Sequence, residues 1–507
     1  MTTPGTQPRS VAGLLWDAAR IAGDKPAIIS ASGTTSYAEL RDRAGSIAAA
    51  LVECGVERGD RVAILAERGR NAAAAYFGAL AAGAIAIIVN ERLRPRQVEY
   101  VLRRAGVRVL LTTREMLAEH QRDLETDATL VELASIPDTR REWTPLPPGD
   151  AGLAQIIFTS GSTGLPKGVV FSHRAVLDAM EMVVGYLGFR TDERILSLLP
   201  FSSVYGLNQL LSAVMTTSAL VISLSPLAAK IVADARAFEV TCIAGVPPLW
   251  LQLLAVPAFT SSPIPSLRIL QNAGGHLPPE AAKQLRAAHP HARLFLQYGM
   301  TECFRSTFLP PEEVDSHPDC MGRTVPGATI WVVDENGRVC APGEVGELVF
   351  SGPTLAEGYW EDPEQTAATF RHAPVGSGST ARAVYSGDMV KRDAEGRFFY
   401  VSRRDRMIKS LGFRIGPDEI TDVLYASGDI LEAAIATEPD PARGERIIAY
   451  VALKPGASLK HLEQFARLEL PRHMQPARIE VRETLPRLPS GKYDIPAMKA
   501  GVTLTAR

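Results

Sequence analysis

Length, composition and charge exclude several classes of protein before any motif is considered. The chain has 507 residues, of which 46% are apolar and 22% charged, so two or more domains of ordinary globular composition are expected. The formal net charge of −2 gives no electrostatic reason to expect nucleic acid or an anionic membrane as the partner.

The cysteines and the apolar runs indicate which cellular compartment to expect and whether the chain spans a membrane. The five cysteines are scattered and odd in number, which argues against a disulfide framework or zinc site and favours a reducing, cytoplasmic compartment. The polar start "MTTPGTQPRSV" lacks the apolar core of a signal peptide. The uncharged run Ala72–Val89 approaches the ~18 residues of a spanning helix. Because Gly83 divides this run, we expect a buried small-residue helix, a turn and the buried strand Ala84–Val89, with no membrane span.

Helix and strand patterns alternate through the first part of the chain. Ser36 and Glu39 have the spacing of a capping box and begin a helical pattern that is followed by the apolar strand Arg61–Leu65. The same alternation gives strands "RVLLT" and "ALVIS" after helical segments. Strands separated by helices predict parallel sheets covered by helices.

The pattern changes after about Val325. Turn signals at Asn336-Gly337 and Pro342-Gly343, between short alternating runs, predict antiparallel β-structure. From Asp405 onward, helix and strand patterns fit a compact α+β unit of about 100 residues.

One loop suggests phosphate binding. In "IIFTSGSTGLPKGVVFSH", glycines and three hydroxyl residues (Ser160, Ser162, Thr163) lie between two apolar runs. Gly161, Gly164 and Lys167 are each three residues apart, so the loop is not a Walker A motif. Backbone N–H groups, hydroxyls and a lysine still suit phosphate oxygens, although a flexible surface turn explains the loop equally well in isolation.

Four further stretches carry chemically useful residues. In "QYGMTEC", Tyr298 offers a flat face for a nucleobase, Thr301 a hydroxyl for phosphate and Glu302 an oxygen ligand for Mg²⁺. Asp388 of "YSGDMV" has two oxygens for ribose hydroxyls. The charged stretch Ser402–Ile420 permits a hinge, and "LPRLPSGKYD" places Lys492 on a loop. Taken singly, these stretches are better explained as turns, a solvated charged face and a solubility lysine than as parts of a site.

Together and in this order, the motifs resemble the adenylate-forming superfamily of acyl-CoA synthetases, amino-acid adenylation domains and luciferases. The resemblance runs from about Ala38 to Lys492 and includes "GELVFSGPTLAEGYW", and it is greatest to AMP-forming acyl-CoA ligases. It implies an α/β fold: a large N-terminal domain of two helix-covered mixed sheets plus a small β-subdomain, then a small mobile α+β domain. The implied domains are 1–404, which binds ATP and the acyl group, and 405–507, with the hinge near Asp405.

The resemblance also implies a reaction. A carboxylic acid attacks the α-phosphate of ATP, giving an acyl adenylate and pyrophosphate, and a thiol of coenzyme A or of a carrier-protein phosphopantetheine then displaces AMP. The implied catalytic residues are Lys492, Thr301 and Glu302, with Glu302 holding Mg²⁺. The implied nucleotide-binding residues are Thr159, Ser160, Gly161, Ser162, Thr163, Lys167, Gly274, Gly275, Tyr298, Gly299, Asp388 and Arg403. The hinge and thiol tunnel would use Asp405, Lys409 and Gly412.

The acyl pocket departs from the family pattern. The expected segment is "LPFSSVYGLNQL", which gives Ser202, Ser203, Tyr205 and Gly206 as pocket residues. Ser202 stands where amino-acid adenylation domains carry an aspartate, which disfavours an α-amino acid because a buried unpaired ammonium group is costly. Ser402 replaces the glycine of the family's GRxD motif, and Thr421 ends its EIE motif. Arg305, just after Glu302, has two interpretations. It is a pocket residue that contacts a polar or second acidic group on the substrate, or, as the sequence alone favours, one partner of a structural ion pair.

Four functions remain open from the sequence. The leading prediction is an acid–CoA ligase working as a monomer or homodimer. Transfer to a carrier protein, transfer to an amine or hydroxyl giving an amide, ester or cyclised product, and a binding-only protein are the alternatives.

Overall fold

The computed structural model describes residues 10–120, 124–138, 142–147, 152–159, 166–404, 406–410, 413–440, 444–488 and 493–500. The helices are α1 (Val11–Ala22), α2 (Tyr37–Glu53), α3 (Arg70–Ala81), α4 (Pro95–Ala105), α5 (Arg114–His120), α6 (His173–Leu187), α7 (Val204–Met215), α8 (Ala228–Ala237), α9 (Pro247–Leu254), α10 (Pro257–Thr260), α11 (Pro279–Ala288), α12 (Pro363–Thr369), α13 (Pro417–Ala426), α14 (Leu459–Glu469) and α15 (Ile495–Lys499).

The strands follow the same numbering in chain order. They are β1 (Pro26–Ser30), β2 (Gly33–Ser36), β3 (Arg61–Leu65), β4 (Ile85–Ile88), β5 (Val107–Thr112), β6 (Thr129–Glu132), β7 (Leu153–Thr159), β8 (Lys167–Ser172), β9 (Arg194–Ser197), β10 (Ala219–Ile222), β11 (Cys242–Gly245), β12 (Ile269–Asn272), β13 (Arg293–Tyr298), β14 (Thr307–Leu309), β15 (Cys320–Thr324), β16 (Thr329–Val333), β17 (Val345–Ser351), β18 (Gly358–Tyr359), β19 (Phe370–His372), β20 (Arg382–Arg392), β21 (Phe398–Arg403), β22 (Ile408–Ser410), β23 (Phe413–Ile415), β24 (Ile430–Asp440), β25 (Gly444–Leu453) and β26 (Arg478–Val481).

The first sheet contains the strands on either side of the glycine-rich loop. Its order, within the described residues, is β18-β8-β7-β4-β3-β5-β6, with β3 to β7 parallel to one another and β8 antiparallel to β7. The run Ala72–Val89 forms most of α3, a turn at Gly83 (φ +79°) and β4, as predicted. Among the described residues, no helix combines the length and apolarity needed to cross a membrane.

The second sheet joins parallel and antiparallel halves. One half carries the parallel strands β1, β10, β9, β11, β12 and β13. The antiparallel strands β14, β15, β21, β20, β17 and β16 continue the sheet from β13. The predicted antiparallel β-structure after about Val325 is therefore an extension of the large sheet. This continuity brings β20 and β21 beside the end of β13.

A third, smaller sheet forms the core of the C-terminal unit. Strands β23, β22, β25 and β24 are antiparallel neighbours, β26 pairs in parallel with β25, and α13 and α14 pack on this sheet. The predicted α+β arrangement is confirmed. One polar contact to the large domain is a hydrogen bond between the His276 imidazole and the Asp422 carboxylate on α13, at 2.8 Å.

Close helix packing holds the two large sheets together. The small residues of α3 are almost all buried, and a Cβ added at Gly78 would lie 2.8 Å from the Ala44 carbonyl of α2. The capping box of Ser36 and Glu39 begins α2 as predicted. This compact layer supports α7 and the β7–β8 hairpin, which border the candidate site.

Candidate active site

The carboxyl ends of four neighbouring parallel strands meet at one edge of the large sheet. Strands β9, β11, β12 and β13 run in the same direction, so the segments that follow them lie together. Those segments include the residues predicted from sequence at Ser202, Gly274 and Glu302, and the predicted Tyr298 is the last residue of β13. Open α/β sheets bind ligands outside the carboxyl ends of their strands, which makes this edge the candidate site.

Strand pairing assembles the first carboxylate centre around Asp388. Asp388 on β20 lies opposite Arg403 on β21, whose Nε is 3.3 Å from Asp388 Oδ1. The Tyr298 hydroxyl, at the end of β13, donates a hydrogen bond to Asp388 Oδ2. Burial and the Asp388 charge raise the pKa of Tyr298 well above its usual value, so the phenol stays protonated and remains a donor.

The second carboxylate centre forms around Glu302, in a short 3₁₀ turn after β13. The Tyr359 hydroxyl donates to Glu302 Oε1 at 2.7 Å, and the Ala356 N–H donates to the Glu302 carbonyl at 2.8 Å. Burial and the Glu302 charge raise the pKa of Tyr359, so it too remains a donor. The sequence contained Tyr359 in "GELVFSGPTLAEGYW", but nothing in the pattern assigned it a partner.

The β7–β8 hairpin connects the glycine-rich loop to Glu302. Thr159 and Lys167 lie opposite each other at the loop's base, and Tyr359 on β18 pairs with β8. The Lys167 ammonium lies 5.6 Å from the centre of the Tyr359 ring. The remaining predicted loop residues, Ser160, Gly161, Ser162 and Thr163, lie outside the described residues. The described base therefore places Lys167, Tyr359 and Glu302 in one contiguous group.

Glu302 fits a magnesium ion that is shared with phosphate. The side chain is partly exposed, and Mg²⁺ in nucleotide sites is commonly held by one or two carboxylates together with substrate phosphates and water. Within the described ranges, no group of three or more histidine, cysteine, aspartate or glutamate side chains forms a metal cage. The single Glu302 carboxylate is the kind of ligand that binds a metal arriving with a nucleotide.

The structure explains the glycines predicted to contact the nucleotide in different ways. Gly274 has φ +80° and is exposed together with Gly275, so this backbone is open to close approach. Gly299 packs inside the protein instead, because an added Cβ would lie 2.2 Å from the Phe304 carbonyl oxygen.

The predicted acyl-pocket residues lie around the start of α7. The Ser203 hydroxyl caps this helix by accepting from the Gly206 N–H at 3.0 Å, so its polar group serves the backbone. A Cβ at Gly206 would lie 2.0 Å from the Pro200 carbonyl, which explains that glycine by packing. Ser202 borders a small cavity, and Tyr205 is buried with its hydroxyl bonded to the Gln271 carbonyl at 2.8 Å.

Arg305 also lies beside the predicted acyl-pocket residues at the start of α7. Its guanidinium carbon lies 4.4 Å from the centre of the Tyr205 ring.

The predicted hinge, thiol-tunnel and lysine positions are mostly outside the described residues, namely Asp405, Gly412 and Lys492. Lys409 is described only through its backbone pairing with Arg414.

Comparison with known proteins assigns the family. Residues 15–360 match the model for the AMP-binding enzyme family, and residues 419–492 match the model for the AMP-binding enzyme C-terminal domain. The chain is an AMP-binding enzyme. As predicted from the motifs, it is an adenylate-forming ligase with a large N-terminal and a smaller C-terminal domain.

The relatives of this AMP-binding enzyme include single ligases and parts of larger synthetases. It is 30% identical to novobiocin biosynthesis protein H of Streptomyces niveus, covering 95% of this chain and 81% of that protein. It is also 30% identical to phosphinothricin tripeptide synthetase PhsC of Streptomyces viridochromogenes, covering 97% of this chain but 45% of that protein. The crystal structure of a benzoate CoA ligase from Burkholderia xenovorans has a TM-score of 0.87 at 25% identity, covering 97% of this chain and 100% of that one.

Proposed function

We propose that this enzyme uses ATP and Mg²⁺ to convert a carboxylic acid into its acyl adenylate and pyrophosphate, and then transfers the acyl group to the thiol of coenzyme A. The observation that carries the proposal is the pair of tyrosine-bound carboxylates, Asp388 and Glu302, at the carboxyl edge of the large sheet. Asp388 suits a ribose and Glu302 suits a metal–phosphate group, so the two carboxylates together define an orientation for a nucleotide.

The electrostatic task of the site is to let two anions meet. A carboxylate that approaches a triphosphate is repelled until positive charge offsets the phosphates. Mg²⁺ would supply part of that charge at Glu302, and Tyr359 holds the Glu302 side chain in place for it. Lys167 and the loop that includes Thr159 to Thr163 would bind the outer phosphates, with Thr301 at the α-phosphate.

Asp388 and Arg403 would bind the ribose. A carboxylate accepts from two hydroxyl groups at once, and the Tyr298 hydroxyl fixes the orientation of the Asp388 oxygens. The open backbone at Gly274 and Gly275 would then lie against the adenine or the acyl group.

The C-terminal domain would contribute the last cation and later the thiol channel. We propose the boundary at 404/405, a hinge at Asp405, and Lys492 as the ammonium group that bridges the acid and the α-phosphate. After a domain rotation, the loop around Lys409 and Gly412 would line the path of the thiol, which attacks the acyl carbon and releases AMP.

Coenzyme A is our preferred acceptor because this chain covers the whole of a benzoate CoA ligase. Similarity to a segment of PhsC favours a carrier-protein thiol as the second candidate. The two acceptors use the same pantetheine thiol, so the adenylation site alone does not distinguish them.

Acid-dependent pyrophosphate exchange across aryl, aliphatic and amino acids tests the activation step. Product analysis with the best acid, with and without CoA, then tests the acceptor. We expect exchange without CoA and an acyl-CoA product with it. Exchange with no CoA thioester, but with loading of a phosphopantetheinylated carrier or an amide or ester product, would overturn the CoA assignment. Absence of exchange across the panel would favour a binding-only protein.

A further inference from the structure

The guanidinium of Arg305 is a buried cation without an ion-pair partner in the described part of the chain. The residue is only 3% exposed. Its Nε donates to Gln297 Oε1 at 3.2 Å, and one terminal nitrogen donates to the Phe304 carbonyl at 2.9 Å. The other terminal nitrogen, Nη2, is buried and makes no hydrogen bond of regular geometry to a described residue, and the polar group that interacts with the guanidinium from α6 is the Tyr186 hydroxyl.

The neighbouring phenols do not supply the missing negative charge. Tyr205 lies against the guanidinium, and burial raises its pKa far above the usual value. Burial raises the pKa of Tyr186 to about 12, even though the Arg305 charge acts in the opposite direction. Both phenols are therefore neutral near pH 7. A buried charge that lacks a partner is costly, so an anionic ligand would stabilise this arrangement strongly.

The backbone before Arg305 is strained in a way that fixes its position. Phe304 has φ +60° and ψ −73°, and the Arg305 N–H donates to the Cys303 carbonyl at 2.7 Å. This is the rare γ-turn with positive φ, which is unfavourable for a residue with a bulky side chain. Gly299 accommodates the turn, since a Cβ there would lie 2.9 Å from the Arg305 Cα. Strained backbone that the fold tolerates is concentrated at functional sites.

The surroundings of Arg305 are those of the acyl side of the candidate site. Tyr205, which it contacts, belongs to α7 and packs with Leu199, Val246 and Ala273. These residues follow or lie close to the carboxyl ends of β9, β11 and β12. Arg305 follows Glu302 by three residues and contacts Tyr205, so it links the turn that carries the proposed metal ligand to the proposed acyl pocket.

We propose that Arg305 is a specificity-determining residue that pairs with a second carboxylate on the acid substrate. The preferred substrates are therefore dicarboxylic acids, one carboxylate being activated and the other bound by the guanidinium fork. This inference rests on the proposed function for the identity of the reacting group. The planar guanidinium suits bidentate pairing with a carboxylate, which a lysine does not reproduce.

Matched acid pairs test this assignment: benzoate against isophthalate, and hexanoate against adipate. In pyrophosphate exchange, we expect the wild-type enzyme to prefer one or both diacids. Arg305→Met should lower kcat/KM for the preferred diacid roughly 10- to 100-fold, mainly through KM, and leave the monoacid within about threefold. Arg305→Lys should restore part of the preference. The matched control is Arg293→Met, which removes a cation that also lies over an aromatic ring, Phe295, at the opposite end of β13.

A binding measurement without turnover separates this inference from the proposed function. We expect isophthalate or adipate to raise the Tm of the wild-type protein but not that of Arg305→Met. If that difference is seen without any exchange, the proposed function fails while the Arg305 assignment holds. A wild-type enzyme that exchanges monoacids and ignores both diacids would overturn the assignment, as would equal loss for all acids in Arg305→Met. If neither exchange nor diacid binding is observed, both are wrong.

Discussion

At the scale of single residues, the candidate site depends on two hydroxyl–carboxylate pairs. Tyr298 holds Asp388 and Tyr359 holds Glu302, and in each pair burial raises the pKa of the phenol. A phenol that stays protonated over the physiological range donates a hydrogen bond and leaves the other carboxylate lone pairs for the metal and the ribose that we propose. The carboxylates are thereby oriented before a nucleotide binds.

Removing the Tyr359 hydroxyl should reduce the affinity of the site for Mg²⁺ more than it reduces the stability of the protein. In Tyr359→Phe, Glu302 loses a hydrogen bond to a charged group, which is worth about 1.5–3 kcal/mol. We expect the Mg²⁺ concentration for half-maximal pyrophosphate exchange to rise about tenfold. The control is Tyr385→Phe, whose hydroxyl bonds the His372 carbonyl on the same β-rich region. An unchanged Mg²⁺ dependence in Tyr359→Phe would contradict the role of Glu302.

Replacing Asp388 should weaken the binding of the nucleotide but not the binding of the acid. The asparagine amide has one acceptor oxygen and one donor nitrogen, so it cannot accept hydrogen bonds from two ribose hydroxyls through two oxygens. We therefore expect Asp388→Asn to raise the KM for ATP at least tenfold while the KM for the acid changes little. Asp393→Asn is the matched control, because Asp393 lies at the other end of the same β20–β21 hairpin and pairs with Arg397. Equal increases of both KM values would argue against ribose binding.

Sequence reasoning identified the carboxylates but not what holds them. Asp388 and Glu302 could be singled out only because several motifs occur together in the order of the adenylate-forming superfamily, since each carboxylate alone is better explained as a turn residue. The phenol partners are 90 and 57 residues away in the chain, and only the strand order brings them close. Ser203 shows the reverse case, since a hydroxyl predicted in the acyl pocket is used to cap α7.

At the scale of elements, the turn that follows β13 is the most constrained segment of the site. An alanine at Gly299 would collide with the Phe304–Arg305 backbone. We expect Gly299→Ala to reduce pyrophosphate exchange more than 100-fold while the protein remains folded at 25 °C, since the collision is confined to this turn.

Gly185→Ala provides the control for that substitution. Gly185 lies in α6, where an added Cβ would meet nothing within 4 Å, so alanine should leave activity unchanged and raise stability slightly. Thermal unfolding and exchange assays on both variants measure this difference. Full activity in Gly299→Ala would show that the turn geometry is unimportant for the reaction.

The elements themselves were largely predictable. Periodicity located β3, and Gly83 correctly divided Ala72–Val89 into helix and strand, because a glycine with positive φ ends a helix whatever surrounds it. The continuity of the antiparallel strands with the parallel sheet was not predictable. It depends on β14 and β15, two short strands whose pairing partners are set by the tertiary fold.

At the scale of the whole molecule, the contact between His276 and Asp422 joins the two domains. Burial alone would lower the pKa of His276, but the hydrogen bond to Asp422 and the charges of Asp422, Asp418 and Asp319 raise it to about 9. Because the pKa is raised above the ordinary value of about 6.5, the contact is fully stabilising below that pH and is lost as the pH rises through about 9.

This contact should therefore make the domain arrangement depend on pH. We expect small-angle scattering of the wild-type protein to change between pH 7 and pH 10, and Asp422→Asn at pH 7 to resemble the wild type at pH 10. His461→Gln, which removes an imidazole–carboxylate pair inside the small domain, should behave as wild type. Identical scattering of wild type and Asp422→Asn at both pH values would contradict this role.

In the proposed mechanism, one ammonium group on the C-terminal domain helps a carboxylate attack the α-phosphate and then leaves before the thiol reacts. Measuring both half-reactions of Lys492→Ala tests it most directly, with Lys499→Ala on α15 as the control. We expect Lys492→Ala to lose acid-dependent pyrophosphate exchange yet still form the thioester from a supplied acyl adenylate and CoA. Equal loss of the two half-reactions, or full retention of exchange, would contradict it.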